Sequence, residues 1–139
     1  ETISEPSEYE VMRTNAIAKK NRATQTRLEK VLSYTKQTMV VYMSEEDLNR
    51  LCAYIVEYSS GDTIQKISPV KVDSQLKSID IMHFGWNIGK AFSKKRIHTA
   101  TFIKNVFAHT LRDLEISTIE RKMSHTESAC YIKLKKEIT

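Results

Sequence analysis

Residues 76–92, LKSIDIMHFGWNIGKAF, form the stretch that decides the fold. As a helix this stretch is apolar around most of its circumference, and helices of that kind lie buried in the centre of a bundle. Gly85 and Gly89 each lower helix propensity by roughly 1 kcal/mol relative to Ala. Four residues apart, they let a neighbouring helix approach closely. We therefore predict a central helix here, with Phe84 and Trp86 as core anchors.

A histidine, His83, lies inside the same apolar stretch. The four histidines of the chain lack the paired spacing of a zinc site, and no pair of cysteines accompanies them. We interpret His83 as a hydrogen-bonded core residue, and we expect neither a metal site nor a cofactor.

Two further helices are predicted downstream, over residues 99–112 and 115–124. Thr99 is the expected N-cap of the first, and a short turn near Arg112 to Leu114 separates the two. The apolar faces that these helices present comprise Phe102, Ile103, Val106, Phe107, Leu111, Ile116, Ile119 and Met123.

The basic turn SKKRIH (93–98) precedes these helices, and the alternating stretch SACYIKLKK (128–136) follows them. Strict alternation predicts a half-buried strand. Helix, basic turn, helix, short turn, helix and strand is the order of a helix-turn-helix with a possible wing.

The N-terminal half carries two helix start signals. Ser44 begins a capping box with Asp47, and a regular apolar stripe follows until Gly61 ends the predicted helix. Earlier, Ser4 or Ser7 can cap a first helix. Between them the β-branched run TMVVYM (38–43) predicts a short strand. Residues 62–75 form a connector containing Pro69, with a short extended piece at 68–72.

These elements define the expected fold class: a mainly α protein, a helical bundle with a helix-turn-helix-like C-terminal half and one or two short β-strands. Residues 1–61 are predicted to be an N-terminal helical region for support or oligomerisation, and residues 76–139 the helix-turn-helix-like region. Both parts are expected to form one compact domain, since 139 residues suffice for one core. That core is predicted around Trp86, Phe92, Phe102, Phe107 and Ile119.

The charge of the chain is unevenly distributed. Residues 1–89 hold 11 Lys and Arg against 12 Asp and Glu, whereas residues 90–139 hold 11 against 5. The net positive charge therefore lies in the last third, which favours a polyanionic partner, usually nucleic acid. In the N-terminal half a phosphate-contacting arm competes with a solvated helix surface as the interpretation of Lys19, Lys20, Arg22, Arg27 and Lys30.

Several function classes are disfavoured. The three glycines do not form a phosphate-binding loop, and no catalytic motif is present, so we expect no enzyme. No apolar run approaches the roughly 20 residues of a membrane helix, and no signal-peptide pattern opens the sequence, so we expect a cytoplasmic protein without a membrane partner. Cys52 and Cys130 are expected to be reduced thiols, although a disulfide between them stays open.

The third predicted helix lies within the stretch DLEISTIERKMSH (113–125). If Ile116, Ile119 and Met123 pack inward, a second face points outward, where a recognition helix presents side chains to bases. The DNA-binding residues predicted on this basis are Thr118, Arg121, Lys122 and His125 as the reading face and Lys94, Lys95 and Arg96 as phosphate contacts. The competing interpretation is the solvated outside of a three-helix bundle.

About a third of the chain resembles a known group of proteins. The central aromatic helix, the FIKNVF helix and the STIERKM helix, in that order within residues 76–123, look like the C-terminal helical part of small regulatory or accessory proteins of Bacteroides conjugative transposons. The tetracycline-responsive excision regulators are the most similar group. The resemblance implies a DNA-binding regulator of a mobile element, with Thr118, Arg121 and Lys122 in the reading helix.

The function predicted from the sequence is therefore non-enzymatic binding of duplex DNA in gene regulation. A second copy of the chain is a candidate partner, so that the protein would bind DNA as a homodimer. The alternative is a helical protein–protein interaction module whose basic face meets an acidic partner.

Overall fold

A computed structural model describes residues 5–61, 64 and 66–138 of the chain. In this part the helices are α1 (Glu8–Met39), α2 (Glu45–Ser60), α3 (Ser78–Ala91), α4 (Arg96–Val106) and α5 (Ile116–Lys122). No strand occurs among the residues described. The prediction of a mainly α protein is confirmed, whereas the strands predicted at 38–43 and 128–136 are wrong.

The central helix is α3, in which Ile81, Phe84 and Ile88 are fully buried. It packs against α4, and the two glycines of α3 lie at this contact. An ideal Cβ atom on Gly85 would lie 2.7 Å from Cγ2 of Ile103, and one on Gly89 would lie 2.3 Å from Oγ1 of Thr99. The predicted close approach of a neighbouring helix is confirmed, and the neighbour is α4.

One hydrophobic core joins all five helices in the described part of the chain. Phe102, Phe107 and Ile119 are buried in it as predicted. Trp86 and Phe92 were expected at its centre, but both are only half-buried and pack against its edge. Trp86 stays at the edge because the guanidinium of Arg96 lies over its ring, 4.9 Å from the ring centroid.

The bounds of α4 differ from the prediction. Thr99 is not its N-cap; the helix begins at Arg96, and Thr99 lies buried inside it. The Thr99 hydroxyl shares a 2.6 Å hydrogen bond with the Tyr58 hydroxyl of α2. The helix ends at Val106 instead of Arg112, and turns occupy the following residues. Lys104 stabilises these turns, because its Nζ donates to the Leu111 carbonyl at 2.7 Å.

Ser7 and Ser44 cap their helices as predicted, but Asp47 does not complete the predicted capping box, because its carboxylate accepts from Arg50 and from the Lys71 amide. Ser44 Oγ accepts from the Asp47 amide at 3.2 Å, and Ser7 Oγ accepts from the Glu10 amide at 3.2 Å. The other candidate cap of α1, Ser4, lies outside the described residues. In place of the strand at 38–43, Met39 ends α1 fully buried, and the Tyr42 amide closes a turn onto its carbonyl at 2.9 Å. Packing of Met39 thus overrides the β-propensity of this run.

The C-terminal segment, residues 128–138, is held by side chains instead of by a β-ladder. Asp80, His83 and Asn87, here called the α3 polar row, lie at i, i+3 and i+7 on one face of α3 and are at most 3% exposed. Asp80 Oδ1 accepts from the amides of Tyr131 and Ile132 at 2.7 and 3.0 Å. Asn87 donates to the Lys133 carbonyl at 2.9 Å and accepts from the Lys135 amide at 2.8 Å.

The remaining member of the row, His83, confirms the prediction of a hydrogen-bonded core histidine. Its Nδ1 lies 2.8 Å from the Ile132 carbonyl oxygen, and its Nε2 lies 2.7 Å from the His125 carbonyl oxygen. His83 therefore ties the residues after α5 and the C-terminal segment to the same helix.

Candidate nucleic-acid interface

The structure brings the two sets of predicted DNA-binding residues to one end of the bundle. Lys94, Lys95 and Arg96 lie at the start of α4, whereas Arg121 and Lys122 form the last turn of α5. Arg96 joins the two ends: its guanidinium donates to the Glu120 carbonyl and, at 3.1 Å, to Ser124 Oγ. These positions come together because α4 packs against α5.

Arg96 has a structural role at this junction. The carbonyls of the last turn of a helix lack partners within the helix, and a cation placed there also offsets the negative end of the helix dipole. The guanidinium of Arg96 meets both needs while it stacks on Trp86. The side chain predicted as a phosphate contact is therefore committed to contacts within the protein.

Replacement of Arg96 by Ala should lower the free energy of unfolding by about 1–3 kcal/mol, because it removes a charged hydrogen-bond donor and the Trp86 contact. Urea denaturation measures this difference. Lys95→Ala, at the adjacent exposed position, is the matched control and should change stability by less than about 0.5 kcal/mol. Equal midpoints for the two variants would contradict the proposed role of Arg96.

The other two predicted phosphate contacts differ from each other. Lys94 is half-buried, and its Nζ donates to the Gly61 carbonyl at 3.2 Å and lies 5.2 Å from the Tyr58 ring centroid. Lys95 is exposed. Of the three, only Lys95 presents its side chain to solvent without such contacts in the described part of the chain.

Of the predicted reading face, Thr118, Arg121 and Lys122 lie on the short helix α5, whereas His125 lies beyond its end. Arg121, Lys122 and His125 are exposed, and Thr118 is half-buried. However, α5 has only 7 residues. The stretch from Asp113 to Glu127 holds four carboxylates against two cations, a net charge of −2. The local charge around this face therefore weakens its attraction for a phosphate backbone.

A second concentration of positive charge lies on α1. We call the five side chains Lys19, Lys20, Arg22, Arg27 and Lys30 the basic arm, and all five are exposed. None of them forms an ion pair or a side-chain hydrogen bond with any residue that the structure describes. Between residues 11 and 30 the sequence has a single carboxylate, Glu29, which accepts from Gln25 at 3.2 Å.

A lysine on α3 links the basic arm to the other end of the bundle. Lys90 lines a cleft that includes Arg27 and Lys30 of the arm, and it also lines a second cleft that includes Lys94 and Arg96. No pattern in the sequence predicted this role for Lys90. The result is a cationic surface that extends from α1 across the end of α3 to the start of α4.

Both Cys52 and Cys130 are free thiols. Burial raises the pKa of the Cys52 thiol, an effect that Lys36 partly offsets, so the nucleophilic thiolate is disfavoured. No group of three or more potential metal ligands occurs in the described ranges. Likewise, none of the described helices has the length and apolarity needed to cross a membrane.

Comparison of the chain with protein-family models, with curated proteins and with solved structures found no significant match.

Proposed function

We propose that this protein binds duplex DNA without catalysing a reaction on it, as a regulator. The observation that carries the proposal is the cationic surface that runs from the basic arm through Lys90 to the start of α4. The arm's cations have no carboxylate partner in the described part of the chain. Lys and Arg side chains without partners supply the phosphate contacts and counterion release that dominate affinity for DNA.

In this proposal the basic arm and the end of α5 have different tasks. The basic arm neutralises phosphates and sets affinity, while Arg121 and Lys122 at the end of α5 contact base edges and set specificity. Helices α3, α4 and α5 then act as a helix-turn-helix with a short reading helix. A regulator of a mobile element, which the sequence resemblance implies, fits this division.

The direct test is a salt titration of binding to a random-sequence duplex. Replacing Lys19, Lys20 and Arg22 together by Gln should make the plot of log affinity against log salt concentration less steep by about 2–3, since each neutralised phosphate contributes about 0.9. These positions lie on an exposed part of α1, so we expect the variant to fold. Circular dichroism checks this first.

A matched double variant, Arg121→Gln with Lys122→Gln, separates the two tasks. It should reduce discrimination between the preferred and a random duplex, with a smaller change of the salt dependence. If the triple variant keeps both the affinity and the salt slope of the unaltered protein, the basic arm does not contact DNA and the proposal fails.

A second function, docking of an acidic protein partner, is favoured by one observation. Tyr9, Met12 and Ile17 of α1 are 65%, 58% and 46% exposed, next to the cations of the same helix. Apolar side chains interspersed with positive charge are suited to an acidic surface with an apolar centre. The duplex titration distinguishes the two functions, because a docking helix predicts negligible DNA affinity even at low salt.

A further inference from the structure

A cleft lies where α1, the end of α3 and the C-terminal segment meet. Its volume is about 570 Å³. This volume falls within the range of sites for small molecules, roughly 300–1,000 Å³, and far exceeds the space that a single phosphate fills.

Four cations surround this cleft, and they come from three separate parts of the chain. Arg27 and Lys30 belong to α1, Lys90 to α3, and Lys136 to the C-terminal segment. All four are exposed. None forms an ion pair or a side-chain hydrogen bond within the residues described. The one carboxylate among the lining residues is Glu137, so the lining side chains carry a net charge of about +3.

The inner part of the cleft is apolar. Val31 is fully buried, and the half-buried side chains of Ala91 and Ile138 lie beside it. Asn87 also lines the cleft, but its amide is already bonded to Tyr34 and to the C-terminal segment. A cationic rim around an apolar floor recognises an organic anion better than a bare ion, because the two parts of the ligand meet matching surfaces.

We propose that this cleft binds a small organic molecule carrying at least two phosphate charges, such as a nucleoside diphosphate. The four cations hold the phosphates, and the apolar floor receives the organic part. The assignment does not require DNA binding. If the proposed function also holds, the ligand and DNA compete for Arg27 and Lys30, so the cleft is an effector site.

The experiment titrates the full chain with ADP, inorganic pyrophosphate and adenosine, using calorimetry for affinity and amide NMR shifts for location. ADP and pyrophosphate should bind saturably at low millimolar concentration or below, with the largest shifts at residues 27–31, 90–91 and 136–138. Adenosine should bind at least a hundredfold more weakly than ADP. Lys30→Gln combined with Lys90→Gln should weaken ADP at least tenfold, while Lys66→Gln, at an exposed lysine that does not line the cleft, should leave it unchanged.

Two results would overturn the assignment: shifts spread evenly over the surface lysines, or cleft shifts that appear with a DNA duplex and not with ADP or pyrophosphate. The second result would make the cleft a contact for the DNA backbone. The variant with Lys19, Lys20 and Arg22 replaced by Gln distinguishes the two proposals. It should lose affinity for DNA and keep its affinity for ADP.

Discussion

Replacing Asp80 by Ala should lower the free energy of unfolding by about 3–5 kcal/mol. The Asp80 carboxylate is 1% exposed and accepts from three amides, those of Lys77, Tyr131 and Ile132. Alanine would leave donors without an acceptor at the start of α3 and in the C-terminal segment, at about 1–3 kcal/mol for each buried group. Urea denaturation followed by circular dichroism measures the loss.

The matched control is Asp113→Ala. Asp113 is exposed, and its only described ion pair is a 3.8 Å contact with exposed Arg112, so this variant should change stability by less than about 0.5 kcal/mol. Hydrogen exchange gives a local readout, since the amides of Tyr131 and Ile132 should lose protection before the rest of the protein in Asp80→Ala. If the two variants are equally stable, the α3 polar row does not hold the C-terminal segment.

The parts of the fold that could be predicted from the sequence are those in which local signals and packing agree. The capping box at Ser44 and the apolar pattern of 76–92 each predicted a helix that the structure contains. The prediction was wrong where a residue's partner is distant in sequence. Thr99 has the residue type of an N-cap, but the hydroxyl of Tyr58, 41 positions away, pairs with it inside α4.

In the C-terminal segment, too, the sequence pattern predicted only part of the structure. Its alternation correctly predicted that Ile132 is buried and that Tyr131 and Lys133 are exposed. Alternation indicates which side chains face inward, but it does not indicate which groups form hydrogen bonds with the backbone. Here the backbone partners are Asp80, His83 and Asn87, which no pattern in 128–136 could reveal.

For the candidate site, the positions of the cationic residues could be predicted from the sequence, but the residues that surround them could not. It identified the basic arm, and the structure adds that these side chains are exposed. It could not connect Lys90 with Lys136, because 46 positions separate them and only the fold places both beside α1. It also could not foresee that Arg96 is used to hold the end of α5.

Replacing Gly89 by Ala should destabilise the protein by about 2–4 kcal/mol, although Ala is the better helix former by about 1 kcal/mol. The new Cβ atom would lie 2.3 Å from Oγ1 and 2.8 Å from Cγ2 of Thr99, well inside contact distance. Thr99 is 1% exposed and short, so it cannot move aside. We expect α3 and α4 to separate, which adds an overpacking cost of about 1–3 kcal/mol and disturbs the buried Tyr58–Thr99 hydrogen bond.

Two further variants identify the cause of that loss. Gly61→Ala is the matched control, because among the described residues a Cβ there meets only the Glu57 carbonyl oxygen, at 3.9 Å, and its unfolding midpoint should stay near that of the unaltered protein. Thr99→Ala removes the two atoms closest to the new methyl group, so the double variant with Gly89→Ala should lose at least about 1 kcal/mol less than the sum of the single losses. Strict additivity would mean that the methyl group and Thr99 do not meet, and that α4 does not lie against α3 at Gly89.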